Sequence, residues 1–101
     1  MKNAILIADD DQSVCSIFGL LLQKAGYITV TAPAGLNDPR VRLAIVDIDM
    51  SLSAKFPTIY MVSSHYSRIP QVVKEGAFGV VYKPFDVEEI LSVVGKAFAI
   101  L

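Results

Sequence analysis

Five short apolar runs, the first of them continuous and free of strand-type alternation, constrain this chain most. They are Ala4–Ala8, Ile28–Ala32, Leu43–Val46, Ile59–Val62 and Gly79–Tyr82. A strand with one wet face alternates apolar and polar residues, whereas a strand buried on both faces reads as an unbroken apolar run. Between the runs lie helix-like stretches. Val14, Ile17, Phe18, Leu21 and Leu22 recur at helical spacing on one face, and Gly26 follows where a C-terminal cap belongs. Residues 69–75 predict a brief helix that stops at Gly76. Asp86 and Glu89 have capping-box spacing ahead of Val87, Ile90, Leu91, Val94 and Phe98. Strand alternating with helix predicts an open parallel sheet covered on both faces. At 101 residues this is one domain, residues 1–101.

Composition removes several classes of function. Nine Lys plus Arg against ten Asp plus Glu leave a net charge of −1, so there is no clustered positive field for nucleic acid. One Cys and one His exclude a disulfide framework and a Cys/His zinc cluster. No apolar stretch approaches the roughly 18 residues of a membrane helix, and the first apolar run is too short for a signal peptide. A soluble protein of the cytoplasm is expected.

In parallel sheets of this kind the working site lies at the carboxyl ends of the strands. The first run ends in Asp9, Asp10 and Asp11. The third ends in Asp47, with Asp49 two residues on. The fourth ends in Ser63 and Ser64, and the fifth in Lys83 and Pro84. Five of the seven Asp residues thus fall at two strand ends. Asp11 and Asp86 read as helix caps. If the first and third strands are neighbours, Asp9, Asp10 and Asp47 crowd one crevice, and like charges that close demand a cation. An all-oxygen site with room for water suits Mg²⁺. A carboxylate beside that ion can attack phosphorus, and an ammonium and a hydroxyl would stabilise the transferred group.

These residues resemble the receiver domain of two-component response regulators. The resemblance rests on Ile5-Leu6-Ile7-Ala8-Asp9-Asp10-Asp11, Ala44-Ile45-Val46-Asp47-Ile48-Asp49-Met50, Ile59-Tyr60-Met61-Val62-Ser63-Ser64 and Glu75-Gly76-Ala77-Phe78-Gly79-Val80-Val81-Tyr82-Lys83-Pro84-Phe85. It spans the chain in order, and the last segment is the most specific. The resemblance implies an α/β, flavodoxin-like (CheY-like), doubly wound five-stranded parallel sheet of strand order 2-1-3-4-5. It implies that Asp47 is the phosphoacceptor. Asp9 and Asp10 would hold Mg²⁺ with Asp47 and the backbone carbonyl of Asp49. Ser63 would offer its hydroxyl to the phosphoryl group, Ser64 would leave the approach open, and Lys83 would follow with a cis peptide to Pro84. Asp49 and His65 stand at positions that modulate phosphoryl lifetime in the family. A histidine kinase or phosphotransfer protein would be the donor. A downstream protein would be the target, reached through the face that receivers commonly use, here residues 69–101; with the chain ending just after its last helix, it would act by protein contact or be a fragment of a larger protein.

Two departures stand out. Only 14 residues separate Ala32 from Asp47, and 15 separate Asp47 from Ser63, so the family's second and third helices are expected to be reduced and its fourth short. Lost helices would bare apolar sheet surface of a few hundred Å², which a partner or a second copy of the chain, as a homodimer, would cover; rearranged loops are the other way to cover it. The position where the family places a switching aromatic is Val80, with Tyr82 next to Lys83 instead. Two other functions fit the same residues less completely. One is a degenerate receiver that binds partners without phosphorylation. The other is a haloacid-dehalogenase-like phosphatase fragment built on the Asp47-Ile48-Asp49 pattern, whose nucleophile would belong on the first strand.

Overall fold

The computed structural model describes residues 3–50, 56–63 and 66–100. Five parallel strands form one sheet: β1 (Ala4–Ala8), β2 (Ile28–Thr31), β3 (Val41–Asp47), β4 (Thr58–Val62) and β5 (Gly79–Tyr82), in the order β2-β1-β3-β4-β5. This is the strand order the resemblance implied. β1 and β3 are neighbours, with Ala8 level with Val46. The carboxyl ends that carry Asp9 and Asp47 therefore lie side by side.

Among the described residues, three α-helices accompany the sheet: α1 (Gln12–Lys24), α2 (Ile69–Lys74) and α3 (Val87–Ile100). The Asp11 carboxylate accepts the Ser13 N–H at 2.9 Å and caps α1. Gly26, at φ 96°, lets the chain reverse beyond α1 in a backbone region that other residues rarely enter. Asp86 accepts the Glu88 N–H at 3.1 Å, and its carbonyl accepts the Ile90 N–H, which starts α3.

Side chains alternate across each strand, and the two faces have separate cores. Ile5, Ile7, Leu43, Ile45, Ile59, Met61 and Val81 point toward α1 and α3, where they meet Phe18, Leu22, Ile90, Val94 and Ala97. Burying the Phe18 ring fully contributes about 2 kcal/mol. One expectation for α1 fails here. Ile17 does not share the buried face and stands 57% exposed. The buried line runs through Phe18 and Leu22, with Val14 and Cys15 packed beside it, and Ile17 falls a full 100° away from Phe18.

The opposite face is where the helices are short. A 3₁₀ turn at Ala34–Asn37 stands where a second helix would be, and a second at Tyr66–Arg68 leads into the six-residue α2. Residues 51–55, where the family's third helix would begin, lie outside the described residues. Among the described residues, the shortened face nevertheless leaves no bare sheet around β1 and β3. Leu6, Ala44 and Val46 are 0%, 0% and 2% exposed, covered by Val30, Leu36, Met50, Phe56 and Tyr60. The reason is depth. Ala4, Ala8 and Ala44 make this face shallow, so one turn and a few large side chains fill it. Rearranged chain covers this surface, and the case for a second copy loses the bare sheet it started from.

Candidate functional site

The site forms where β1, β3 and β5 end. β1 delivers Asp9, whose side chain is only 1% exposed. Its Oδ1 accepts the Asp11 N–H at 2.9 Å, and its Oδ2 accepts Lys83 Nζ at 2.9 Å. Its backbone carbonyl accepts the Cys15 thiol at 3.4 Å, which ties the turn to α1. Asp10 follows, exposed.

β3 delivers Asp47, a buried carboxylate. Oδ1 accepts the Asp49 N–H at 2.9 Å and Oδ2 accepts Lys83 Nζ at 3.0 Å. A carboxylate offers about four lone-pair directions, so Asp47 keeps capacity for a ligand. Burial pushes its carboxyl upward, but the Asp49 N–H and the Lys83 ammonium outweigh burial and hold it below the usual carboxylate range.

β5 delivers Lys83, and two contacts hold the chain around it. Its N–H donates to the Val62 carbonyl at 2.8 Å, which extends the sheet by one bond. The Lys83–Pro84 peptide is cis, as expected, and so is Ala32–Pro33. The Phe85 ring meets Phe18 of α1 edge-on, with centroids 4.8 Å apart, an aromatic pair worth about 1 kcal/mol beyond its buried area. Burial pulls the Lys83 ammonium down, while the Asp9 and Asp47 carboxylates raise it by more. The bridging ammonium is thus held charged.

Asp9, Asp10 and Asp47 bring carboxylate oxygens within 4.8 Å of one another. Lys83 provides one positive charge against three negative ones. The donor set is entirely oxygen, hard and partly open to solvent through Asp10, which fits Mg²⁺. Four residues distant in sequence have therefore gathered as the spacing predicted.

The remaining candidates are placed less closely. Ser63 is exposed at the end of β4, two residues beyond Met61, which is level with Asp47. Ser64 and His65 lie outside the described residues. The Asp49 side chain reaches Arg68 Nη1 at 3.8 Å. Arg68 was not singled out from sequence, because a lone arginine at the start of a helix carries no motif. Nor was Tyr66, whose hydroxyl donates to the Ser63 carbonyl at 3.4 Å and whose ring lies 6.1 Å from that of Tyr82. Val80 packs with Ile48, Val62 and Val72, so the residue at the family's aromatic position is an ordinary core contact here.

No family model matches the chain. Curated relatives do. The DNA-binding transcriptional regulator NtrC of Bradyrhizobium sp. (strain RP501 Parasponia) is 26% identical over 116 residues, covering 95% of this chain. The transcriptional regulatory protein GlrR of Escherichia coli (strain K12) is 27% identical over 113 residues, covering 92%. The chain spans about a quarter of the length of these relatives. Among solved structures, the signal receiver domain of a response regulator from Bermanella marisrubri superposes with a TM-score of 0.84 at 18% identity, over 97% of this chain and 99% of that one. The chemotaxis protein CheY4 of Vibrio cholerae gives 0.80 at 23%, over 96% and 99%. The fold is that of a response-regulator receiver domain. Relative to these proteins the chain is shortened: the matches run over 113 and 116 residues against its 101. In the described part of the chain, the shortening falls where 3₁₀ turns replace helix, and the strand ends that carry the acids and the lysine are intact.

Proposed function

We propose that the chain is a phosphoacceptor module of a two-component phosphorelay, with Asp47 as the residue phosphorylated. The observation that carries this reading is the bridge from Lys83 Nζ to both Asp9 and Asp47, with Asp10 completing the acidic cup. Asp9, Asp10, Asp47 and the Asp49 carbonyl would hold Mg²⁺. When bound, that ion supplies positive charge against the oxygens of the transferred group.

The protein's own groups have separable parts. An Asp47 carboxylate oxygen attacks phosphorus and forms the new P–O bond. The donor's bond to phosphorus breaks, and its electron pair leaves with the donor, whether the imidazole of a phosphohistidine or the carboxylate of an acyl phosphate. The depressed Asp47 keeps the nucleophile ionised at neutral pH. Lys83 offers a fixed ammonium to the charge that develops on the phosphoryl oxygens. The Asp49 N–H orients the attacking carboxylate through its other oxygen. Ser63 would supply a hydroxyl donor. A histidine kinase or phosphotransfer protein is the natural donor. Output would run by protein contact through residues 69–101, and the cytoplasm would be the setting. With a net charge of −1, this chain would not itself hold nucleic acid.

A degenerate, phosphorylation-independent module would have no use for a cup in which every acid and the lysine are in place. A phosphatase would need a free acid/base beside its nucleophile, and the Asp49 carboxylate is instead paired with Arg68. The test is intact-mass analysis after incubation with Mg²⁺ and acetyl phosphate. One added phosphoryl group is expected, and none for Asp47→Asn. A wild-type mass that never changes, or equal incorporation in the variant, would overturn the proposal.

A further inference from the structure

β2 is an edge strand, and among the described residues it pairs with β1 alone. The Ala32 N–H donates to the Ile7 carbonyl at 3.1 Å, and bonding residues alternate along a strand. Val30 and Ala32 therefore face β1, while Thr29 and Thr31 turn their N–H and C=O groups outward. Edge strands are usually guarded by charge, proline or a bulge. Ile28–Thr31 has none of these. The uncharged stretch is wider than the strand. The chain has nine Lys plus Arg and ten Asp plus Glu, yet residues 12–37 hold one charged side chain, Lys24. A surface helix ordinarily carries charge on its wet face, and α1 carries none before that lysine. Beside the free edge, Gln12, Ser16, Leu20 and Gln23 of α1 and Thr29 and Thr31 of β2 line an open groove of about 490 Å³. Leu20 stands 61% exposed along it, and Gln23 Nε2 donates to Thr29 Oγ1 at 3.1 Å. An exposed apolar side chain in charge-free surroundings is the composition of an interface centre.

We propose that β2 pairs antiparallel with β2 of a second copy of this chain, joining the two sheets into one. The arrangement is self-complementary. About a two-fold axis at Val30, Thr29 of each copy stands opposite Thr31 of the other, and each such pair exchanges two N–H···O bonds. The ends of α1 favour this occupant over an unrelated peptide. The helix starts beside Asp10 and Asp11 and ends at Lys24. Antiparallel pairing sets the acidic start of one α1 toward the basic end of the other. It also puts the two acidic cups at opposite ends of the joined sheet, so neither blocks the other. The surface is distinct from the filled face around β1 and β3, and the proposal does not depend on Asp47 being phosphorylated. A four-residue edge and one flank of a helix make a small interface, so the dimer is weak, half formed at about 100 µM.

The test is sedimentation of the wild type over a range of concentrations, with amide hydrogen exchange read residue by residue. The mass is expected to rise from 11.0 kDa toward twice that value, and exchange of the Thr29 and Thr31 N–H groups to slow several-fold as it does. Thr29→Lys/Thr31→Lys sets like charges opposite each other across the axis and should stay monomeric, as should Thr29→Glu/Thr31→Glu. An equal mixture of the two should dimerise at least as well as the wild type. Thermal unfolding shows whether each variant is folded, and the wild-type exchange reading decides where one is not. A wild type that remains at 11.0 kDa up to about 1 mM overturns the inference. So does a dimer whose Thr29 and Thr31 amides exchange as fast as in the monomer, a dimer that both charged variants keep, or a mixture of folded variants that stays monomeric.

Discussion

Replacing Lys83 with methionine is expected to reverse the sign of the pH dependence of stability between about pH 4 and 7. In the wild type the Asp47 carboxyl is depressed despite its burial, because the Asp49 N–H and Lys83 both favour the charged form. A depressed carboxyl contributes stability above its unfolded value of about 4 and loses it as pH falls through the folded value. Lys83 is raised, so its contribution is complete below about pH 10 and is lost as pH rises through its folded value. Wild-type stability should therefore climb on leaving acid and stay level to beyond pH 9. Without the ammonium, two carboxylates face each other, Asp9 almost fully buried and Asp47 nearly so. Burial and the facing carboxylate then raise Asp47, and stability should fall as pH rises from 4 to 7.

At pH 7 in chelator, the variant should lose about 2 kcal/mol in urea unfolding. This lies below the usual cost of breaking a buried pair, because the lysine side chain is one-fifth exposed. Phosphoryl incorporation should drop about a hundredfold, the scale of removing one fixed charge from a transition state. A Lys83→Met protein whose stability still rises from pH 4 to 7 would show that the bridge does not govern these acids.

The second large effect concerns the shortened face. A methyl group on Gly35 would sit 2.7 Å from Val30 Cγ2 and 2.9 Å from Leu6 Cδ1, closer than atoms pack. The 3₁₀ turn lies flat on the sheet at this point, which is how one turn does the work of a helix. Both neighbours belong to the packed core and cannot swing aside. Gly35→Ala is expected to cost about 2 kcal/mol by overpacking, a fall in Tm of about 10 °C. Gly95→Ala in α3 is the control. Its added methyl meets nothing within 4 Å, and alanine favours a helix interior, so that change should stabilise by about 1 kcal/mol. Thermal unfolding of the two variants checks the contrast, and a Gly35→Ala protein as stable as wild type would mean that the turn is free to lift.

What could be read from residues alone follows from how each signal is encoded. The central strands β1 and β3 were legible because burial on both faces leaves continuous apolar runs, and β5 was placed at its exact bounds, Gly79–Tyr82. Asp9, Asp10, Asp47 and Lys83 were legible because a parallel sheet sends every carboxyl end to one rim. Contacts that depend on spatial neighbours were not. Arg68 and Asp49 are 19 positions apart in the chain and neither belongs to a periodic pattern. Gly35 belongs to no motif, and only its distance to Leu6 shows that it is a point of close approach. Ile17 fitted a helical spacing that was slightly too broad, and the true buried line is narrower. The expected bare face was an inference from missing length, and the alanines of β1 and β3 account for why it is filled.

The most direct test of the account reads the acceptor itself. An aspartyl phosphate is an acyl phosphate, so borohydride cleaves it and converts that aspartate to homoserine, which peptide mass spectrometry locates. After treatment with Mg²⁺ and acetyl phosphate, homoserine is predicted at position 47 and not at 9, 10 or 49. Homoserine at one of those three instead, or a phosphorylated protein whose residue 47 remains aspartate, would contradict the account.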